Sequence, residues 1–308
     1  MTFTFIDLFS GIGGFHLGCV KNGGKCLAAC DIDPIAREIY NMNYGIIPHD
    51  DIKTIKPIKN IDLLCSGFPC QPVSLLGIRK GANDERGLKL FKYLLKYIKN
   101  TQPKVFLLEN VRGLLSSNNG EYFTYILKSL KNLGYNVSYE ILNSKNFGVP
   151  QFRERIYIVG HLEKPFDFTK LLNFNNTVPI SKILESKPSS NLHSDRFDNV
   201  NINKKIKYKS GFILRAKLSP YTHMKLFSTN GIVGTLATAS PPVIYDEHSK
   251  IVRHLSKKEL LKLQGFSSDF KFPKDFSRTN YVHYLGNAVT VNVINTIVKE
   301  LIAQKLIT

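Results

Sequence analysis

The chain has 308 residues, 43% hydrophobic and 21% charged, a length and balance that suit one large globular domain or two unequal ones. No apolar run reaches the ~18 residues of a membrane span, and the start, "MTFTFIDLFSGIGG", lacks the basic region and cleavage site of a secretory signal, so a cytoplasmic protein is expected. The 42 Lys and Arg against 24 Asp and Glu leave a net charge of +18, which favours a polyanionic partner, nucleic acid first, unless the excess only reflects a Lys-, Asn- and Ile-rich composition.

Residues 2–9, "TFTFIDLF", are rich in β-formers and predict a strand, followed by the glycine turn "SGIGG" and a helix from Phe15. "KCLAAC" (25–30) predicts a second strand, and "DPIAREIYNMNY" (33–44) a helix with Pro34 in its first turn. "IDLLCS" (61–66) is a short apolar strand, and the next helix carries Leu88, Phe91, Leu94, Leu95 and Ile98 at helical spacing. "PKVFLLEN" (103–110) is a strand ending on a carboxylate, "YFTYILKSLKNLGY" a helix closing at Gly134, and "RIYIVG" (155–160) a late strand. This alternation predicts an α/β fold with a doubly wound, mostly parallel sheet. Beyond about residue 165 it fades into a smaller, irregular, partly β region with runs such as "GFILRAKL" and "GIVGTLATA"; a helical stripe from Val293 to Ile302 returns to the first domain. The predicted domains are 1–180 plus 282–308, and 181–281 with the hinge. The basic tract 199–209, "NVNINKKIKYK", is either a phosphate-facing surface or a solvated loop.

In doubly wound sheets ligands sit beyond the carboxyl ends of the strands, and Asp7, Asp31, Cys70 and Glu109 all fall there. Gly11, Gly13 and Gly14 let the first turn approach a ligand closely. The turn is not the dinucleotide fingerprint, because its third glycine would fall at His16. Asp31 can accept bonds from ribose hydroxyls, Asp33 either does so or caps the next helix, and Asp51 either meets an adenine amino group or starts a turn. Together they describe a nucleoside pocket without a phosphate cradle, which S-adenosylmethionine would fit. The five cysteines, Cys19, Cys26, Cys30, Cys65 and Cys70, form no CxxC pair or zinc-finger spacing, so reduced thiols and no metal are expected. Cys65 lies inside an apolar strand, whereas Cys70 follows Pro69 past its end. Glu109 ends another strand, where an acid needs a partner or a task. Arg153 and Arg155 fall on one face of the late strand by its period of two, beside Gln151.

The motifs "DLFSGIGG", "CDIDPIA", "DDI", "GFPCQPVS", "DERGLKLF", "ENV", "QFRERIYIVG", "GTLAT", "RHLSKKELLKLQGF" and "GNAV" occur in this order. By them the chain resembles the bacterial DNA (cytosine-5)-methyltransferases of restriction-modification systems along almost its whole length. The resemblance implies transfer of a methyl group from S-adenosylmethionine to C5 of cytosine, leaving S-adenosylhomocysteine, on a Rossmann-like catalytic domain with a target-recognition domain. It implies Cys70 as nucleophile and Glu109, Arg155 and Arg153 as catalytic partners, with Arg153 in the cytosine pocket or on phosphate. It places Phe9, Ser10, Gly11, Gly13, Gly14, Phe15, Asp31, Ile32, Asp51, Ile52, Gly67, Pro69, Leu90, Asn287 and Ala288 at the cofactor, with Phe15 and Ile32 covering the adenine. It places Gln71, Ser74, Arg79, Lys80, Arg86, Thr235 and Leu236 at the DNA, the segment 74–87 forming a lid. The partner implied is duplex DNA with a short site containing cytosine, with a cognate endonuclease acting on the same site; no membrane is involved, and a monomer is the default. Three departures stand out: Lys262 before "LQGF", where arginine is usual, Ser267 in place of a common proline, and an extra residue in "DERGLKLF". The rival readings are an RNA cytosine-5 methyltransferase, a non-catalytic DNA-binding protein and, more remotely, an NAD-linked oxidoreductase.

Overall fold

The computed structural model describes residues 2–69, 85–186, 202, 205–218 and 225–307, with only the backbone of 85 and 86. The chain divides into two compact units, residues 1–142 with 154–173 and 293–308, and residues 143–153 with 174–292.

In the first unit, β1 (Phe3–Leu8) leads through the glycine turn into α1 (Gly14–Val20), β2 (Gly24–Cys30) and α2 (Pro34–Tyr44). The start of α2 follows from its sequence: the Asp33 side chain accepts from the Ile35 and Ala36 N–H groups at 2.8 and 3.2 Å, and Pro34 occupies the first turn. Gly45 ends the helix at φ 66°. Next come β3 (Leu63–Ser66), α3 (Glu85–Thr101), β4 (Val105–Val111), α4 (Glu121–Lys131), β5 (Asn136–Asn143), β6 (Glu154–His161), α5 (Thr169–Leu172) and, at the C-terminus, α8 (Val291–Ala303). The sheet order is β2-β1-β3-β4-β6-β5; β2, β1, β3 and β4 run parallel and β6 antiparallel to β4. On one face Ile6, Leu8, Leu64, Phe106, Leu108, Ile156 and Ile158 pack with Phe91, Leu94 and Ile98 of α3 and Phe123, Ile126 and Leu130 of α4. Each such apolar side chain contributes roughly 1.5–3 kcal/mol on full burial.

The sequence does not predict β5. It is an edge strand whose residues are mostly part-exposed, so it carries no apolar alternation to reveal it. Around residue 51 His49 makes a single bridge to Cys30, and Asp51 follows in a turn.

The second unit contains β7 (Ile206–Lys207), β8 (Ile213–Lys217), β9 (Lys225–Ser228), β10 (Val243–Asp246) and β11 (Ile251–His254) in one sheet, ordered β11-β10-β9-β8-β7. Then come α6 (Lys257–Leu263) and α7 (Arg278–Asn287). A capping box between Ser256 and Glu259 starts α6, and Glu259 also takes two bonds from the buried Arg253 at 2.8 and 2.9 Å. The run "GIVGTLATA" forms no strand beyond a bridge from Val233 to Gln151; Gly231, Ile232 and Val233 bond to separate backbone partners, and Leu236 to the side chains of Gln151 and Arg153. By packing, residues 143–153 and 282–292 join this second unit. Among the described residues no helix is long and apolar enough to cross a membrane.

Candidate active site

The turn after β1 is built for close approach. Phe9, Gly11 and Gly13 have φ of 53°, 50° and 84°. At Gly13 a side chain is doubly excluded, because a Cβ would overlap the Tyr44 ring as well as strain the backbone. The Tyr44 hydroxyl donates to the carbonyls of Ile12 and Gly13 at 3.0 and 3.2 Å. Asp31 ties the turn to the end of β2: its Oδ2 accepts from Gly11 N–H at 2.7 Å and its Oδ1 from Asp33 N–H at 2.9 Å. Burial raises the Asp31 carboxyl above its ordinary range, against these bonds. Arg37, given no task by the sequence, holds the carbonyls of Asp31 and Ile32 at 3.0 and 2.9 Å. Ile32 itself is 73% exposed. Of the two tasks open to Asp33, the structure shows the helix cap.

Several features fit S-adenosylmethionine. Ser10 Oγ and Ser66 Oγ, at the ends of β1 and β3, are buried without a partner among the described residues. A methyl group placed on Gly11 would meet nothing within 4 Å, so open space adjoins the turn. Phe15, expected over the adenine, is 2% exposed and buried in α1. Phe9, half-buried at the strand end, is the ring that remains accessible there. Asp51 accepts from Lys53 N–H at 2.9 Å, Ile52 is buried, and Gly67, Pro69 and Leu90 are half-buried.

Beneath the turn lies a polar cluster that the sequence does not announce. His16 Nδ1 is 2.8 Å from the Tyr40 hydroxyl, which also reaches Asp7 Oδ2 at 3.4 Å, and Tyr44 stacks on the imidazole. Burial raises the Asp7 carboxyl well above its usual range and lowers His16 to about 4. The unfolded chain therefore takes up the His16 proton first, near 6.5, and the stability held by the neutral ring drains away as pH falls from 6.5 toward 4. Asp7 acts in the opposite sense, losing its contribution as pH rises through its raised folded-state value. Thermal melts of wild type and His16→Asn across that window isolate the histidine: the wild type loses more stability on acidification, and parallel curves would refute the assignment.

On the chemical side, β3 delivers Gly67, Phe68 and Pro69. Cys70, Gln71, Ser74, Arg79 and Lys80 lie outside the described residues, as does the side chain of Arg86. Cys65 is fully buried, its Sγ 3.7 Å from that of Cys19, and burial pushes its thiol well up. Glu109 and Arg155 meet as a diagonal pair across β4 and β6, since Glu109 faces Tyr157 and Val111 faces Arg155. Their Nε–Oε1 distance is 3.2 Å, and Arg155 Nη1 also donates to its neighbour's carbonyl, Glu154 O, at 2.8 Å.

Asn110 is the residue missed. It is 4% exposed, and its Nδ2 donates to Phe68 O at 2.9 Å while its Oδ1 accepts from Val111 N–H at 2.8 Å. One side chain thus fastens the turn that precedes Cys70 to the strand that carries Glu109. The one sequence signal is an amide directly after that acid in a buried strand. Asn110→Ala should lower kcat by about a hundredfold, the scale of an ångström's misplacement. Single-turnover rates check this, and an unchanged rate would remove the clamp from the account.

In the second unit Arg153 also departs from expectation. It precedes β6 and is 2% exposed, with its guanidinium on the carbonyls of Leu236, Gly286 and Ala288 at 3.4, 3.1 and 3.0 Å. Donors so engaged are not offered to a base or a phosphate, and Arg153 does not share a strand face with Arg155. Thr235 is half-buried and donates to Phe152 O at 2.9 Å. Leu236, expected at the DNA, is wholly buried, its N–H bonded to Gln151 Oε1 at 2.9 Å. Asn287, the last residue of α7, is exposed, and Ala288 is nearly buried. Lys262, in the place usual for arginine, lies 3.5 Å from Ile183 O.

The family model for C-5 cytosine-specific DNA methylases matches residues 3–303. The chain belongs to that family. It is a DNA cytosine-5 methyltransferase, from a family whose members use S-adenosylmethionine. It is 39% identical over 307 residues to the Type II methyltransferase M.BsuFI of Bacillus subtilis, covering 96% of this chain and 71% of that one. With M.NgoBI of Neisseria gonorrhoeae, another Type II methyltransferase, identity is 37% over 296 residues, covering 94% and 90%. The fold matches that of the Dnmt2 methyltransferase of S. pombe with a TM-score of 0.73, covering 99% of both chains at 22% identity. The methyltransferase therefore has the Rossmann-like fold of its family.

Proposed function

We propose that this methyltransferase modifies one cytosine within a short, specific duplex site, as the modification enzyme of a restriction-modification system with a cognate endonuclease, and that it works as a cytoplasmic monomer. The Glu109–Arg155 pair supports the reading most strongly, because it sets an acid and a fixed guanidinium side by side at neighbouring strand ends. The first unit carries the chemistry and the glycine turn; the second reads the target and carries Asn287 and Ala288. The residues around the glycine turn, with Ile32, Asp51, Ile52, Leu90, Asn287 and Ala288, hold the cofactor, which supplies the methyl group.

The target base is flipped out of the helix, at a few kcal/mol for unstacking. The Cys70 thiolate adds to C6, because C5 of cytosine is otherwise a poor nucleophile. Addition moves electron density toward N3 and C5. Glu109 shares a proton with N3 and holds the N4 amine, and Arg155 donates to O2. After methylation at C5 a base removes the C5 proton, and the electrons of that C–H bond expel Cys70 as thiolate, restoring the ring. Thr235 steadies the flipped nucleotide's backbone, and Gln71, Ser74, Arg79, Lys80 and Arg86 meet the DNA.

Tritiated cofactor offered with duplex DNA or with transfer RNA separates this reading from an RNA methyltransferase on the same scaffold. Label enters DNA on the present account, and label confined to RNA would end it. Methylome sequencing of cells expressing the protein identifies the site.

A further inference from the structure

The second unit contains a buried polar hub. Ser144, Gln151, Arg153, Gln264 and Thr290 are each no more than 2% exposed, yet they come from distant parts of the chain. Gln151 accepts from Leu236 N–H and donates to Leu263 O and Gln264 Oε1, at 2.9, 3.1 and 3.2 Å. Gln264 donates to Leu285 O at 2.7 Å and accepts from Thr290, which accepts from Ser144. Arg153 closes the hub by bonding Leu236 on one side and Gly286 and Ala288 on the other.

Polar groups at this depth are kept only where their bonds are made, and here five of the bonds go to backbone carbonyls, those of Leu236, Leu263, Leu285, Gly286 and Ala288. Both amides of the Leu236 peptide environment, the N–H through Gln151 and the carbonyl through Arg153, are fixed by side chains. The neighbouring residue, Thr235, keeps only a half-exposed side chain bonded to Phe152 O. On the other side, Arg153 grips the carbonyls immediately before and after Asn287, leaving the Asn287 side chain exposed between them. One guanidinium therefore sets the backbone beside a half-buried threonine and an exposed asparagine.

We propose that Arg153 is a positioning residue that acts through both Thr235 and Asn287, so that the DNA-side and cofactor-side segments of this unit are held by a single side chain. The proposal rests on the roles given above to Thr235 and Asn287. It assigns Arg153 no contact with base, phosphate or cofactor. A planar fork with five donors can hold three carbonyls in two directions, and a lysine ammonium at the end of a flexible stem cannot.

Double-mutant cycles test it. Binding is measured for the duplex carrying the methylated site, and separately for S-adenosylhomocysteine. Arg153→Lys and Thr235→Ala should each weaken duplex binding about tenfold, and the double variant about tenfold instead of about a hundredfold, because both remove the same positioned group. Arg153→Lys with Asn287→Ala should show the same shortfall for S-adenosylhomocysteine. A residue that only stabilised the fold would give multiplicative effects in both cycles, and that result overturns the proposal. So does an Arg153→Lys protein with wild-type affinity for both ligands. If Arg153→Lys fails to accumulate as folded protein, Gln151→Glu takes its place with Thr235, since it keeps the acceptor for Leu236 N–H and loses the donor to Leu263. A wild-type protein that bound neither duplex nor S-adenosylhomocysteine would instead sink the functional reading on which the inference stands.

Discussion

Cys70→Ala is expected to leave no detectable methyl transfer while cofactor affinity stays within about twofold of wild type, because the sulfur is needed for the bond to C6 and not for the glycine turn. No other described thiol can stand in. Cys19 and Cys65 are fully buried, the Cys65 thiol is pushed well up, and burial pushes those of Cys26 and Cys30 up to about 12. A thiol held protonated is a weak nucleophile at neutral pH. Transfer of tritium from the cofactor to DNA, beside calorimetric binding of S-adenosylhomocysteine, gives both numbers. Residual methylation by Cys70→Ala would take the nucleophile away from residue 70.

The second large effect falls on Glu109. Glu109→Gln keeps the shape and one acceptor facing Arg155 Nε but cannot pass a proton to N3, so kcat should fall by about 10²–10⁴-fold, the range for losing a positioned acid–base group. Duplex binding should change little, because the loss lies in the transition state and not in the ground-state complex. A matching drop in affinity with kcat preserved would make Glu109 a binding residue only. Arg155→Lys reports from the other side: it retains the charge and loses the fixed direction of the guanidinium.

The sequence displays what repeats or sits at an element's end. β1, β2, β3, β4 and β6, with the helices between them, are legible because apolar runs alternate with amphipathic ones, and Pro34 and Asp33 mark a helix start by local chemistry alone. Glu109 and Arg155 are legible because an acid and an arginine interrupt apolar strands. What stays hidden depends on partners far away in the chain. Phe15 and Phe9 are the same residue type on either side of one glycine turn, and only packing decides that Phe15 is core while Phe9 keeps an accessible side. The period-two argument pairs Arg153 with Arg155, but β6 begins at Glu154, and Arg153 turns to carbonyls 83 and 133 or more positions away. Asn110 and Gln264 are plain amides until their acceptors, Phe68 O and Leu285 O, are seen beside them. The β10–β11 hairpin gives little warning because its strands are four residues each, too short for a clear alternation.

The covalent step is the centre of the account, and a trapped adduct tests it most directly. Duplex DNA synthesised with 5-fluorocytosine in place of cytosine is incubated with the enzyme and S-adenosylmethionine, digested, and analysed by peptide mass spectrometry. Fluorine at C5 cannot leave as a proton does, so elimination stops and the account predicts a methylated 5-fluorocytosine attached to the peptide containing Cys70. Methylation of ordinary duplex by the same preparation, with no adduct on Cys70 from the fluorinated duplex, would contradict it.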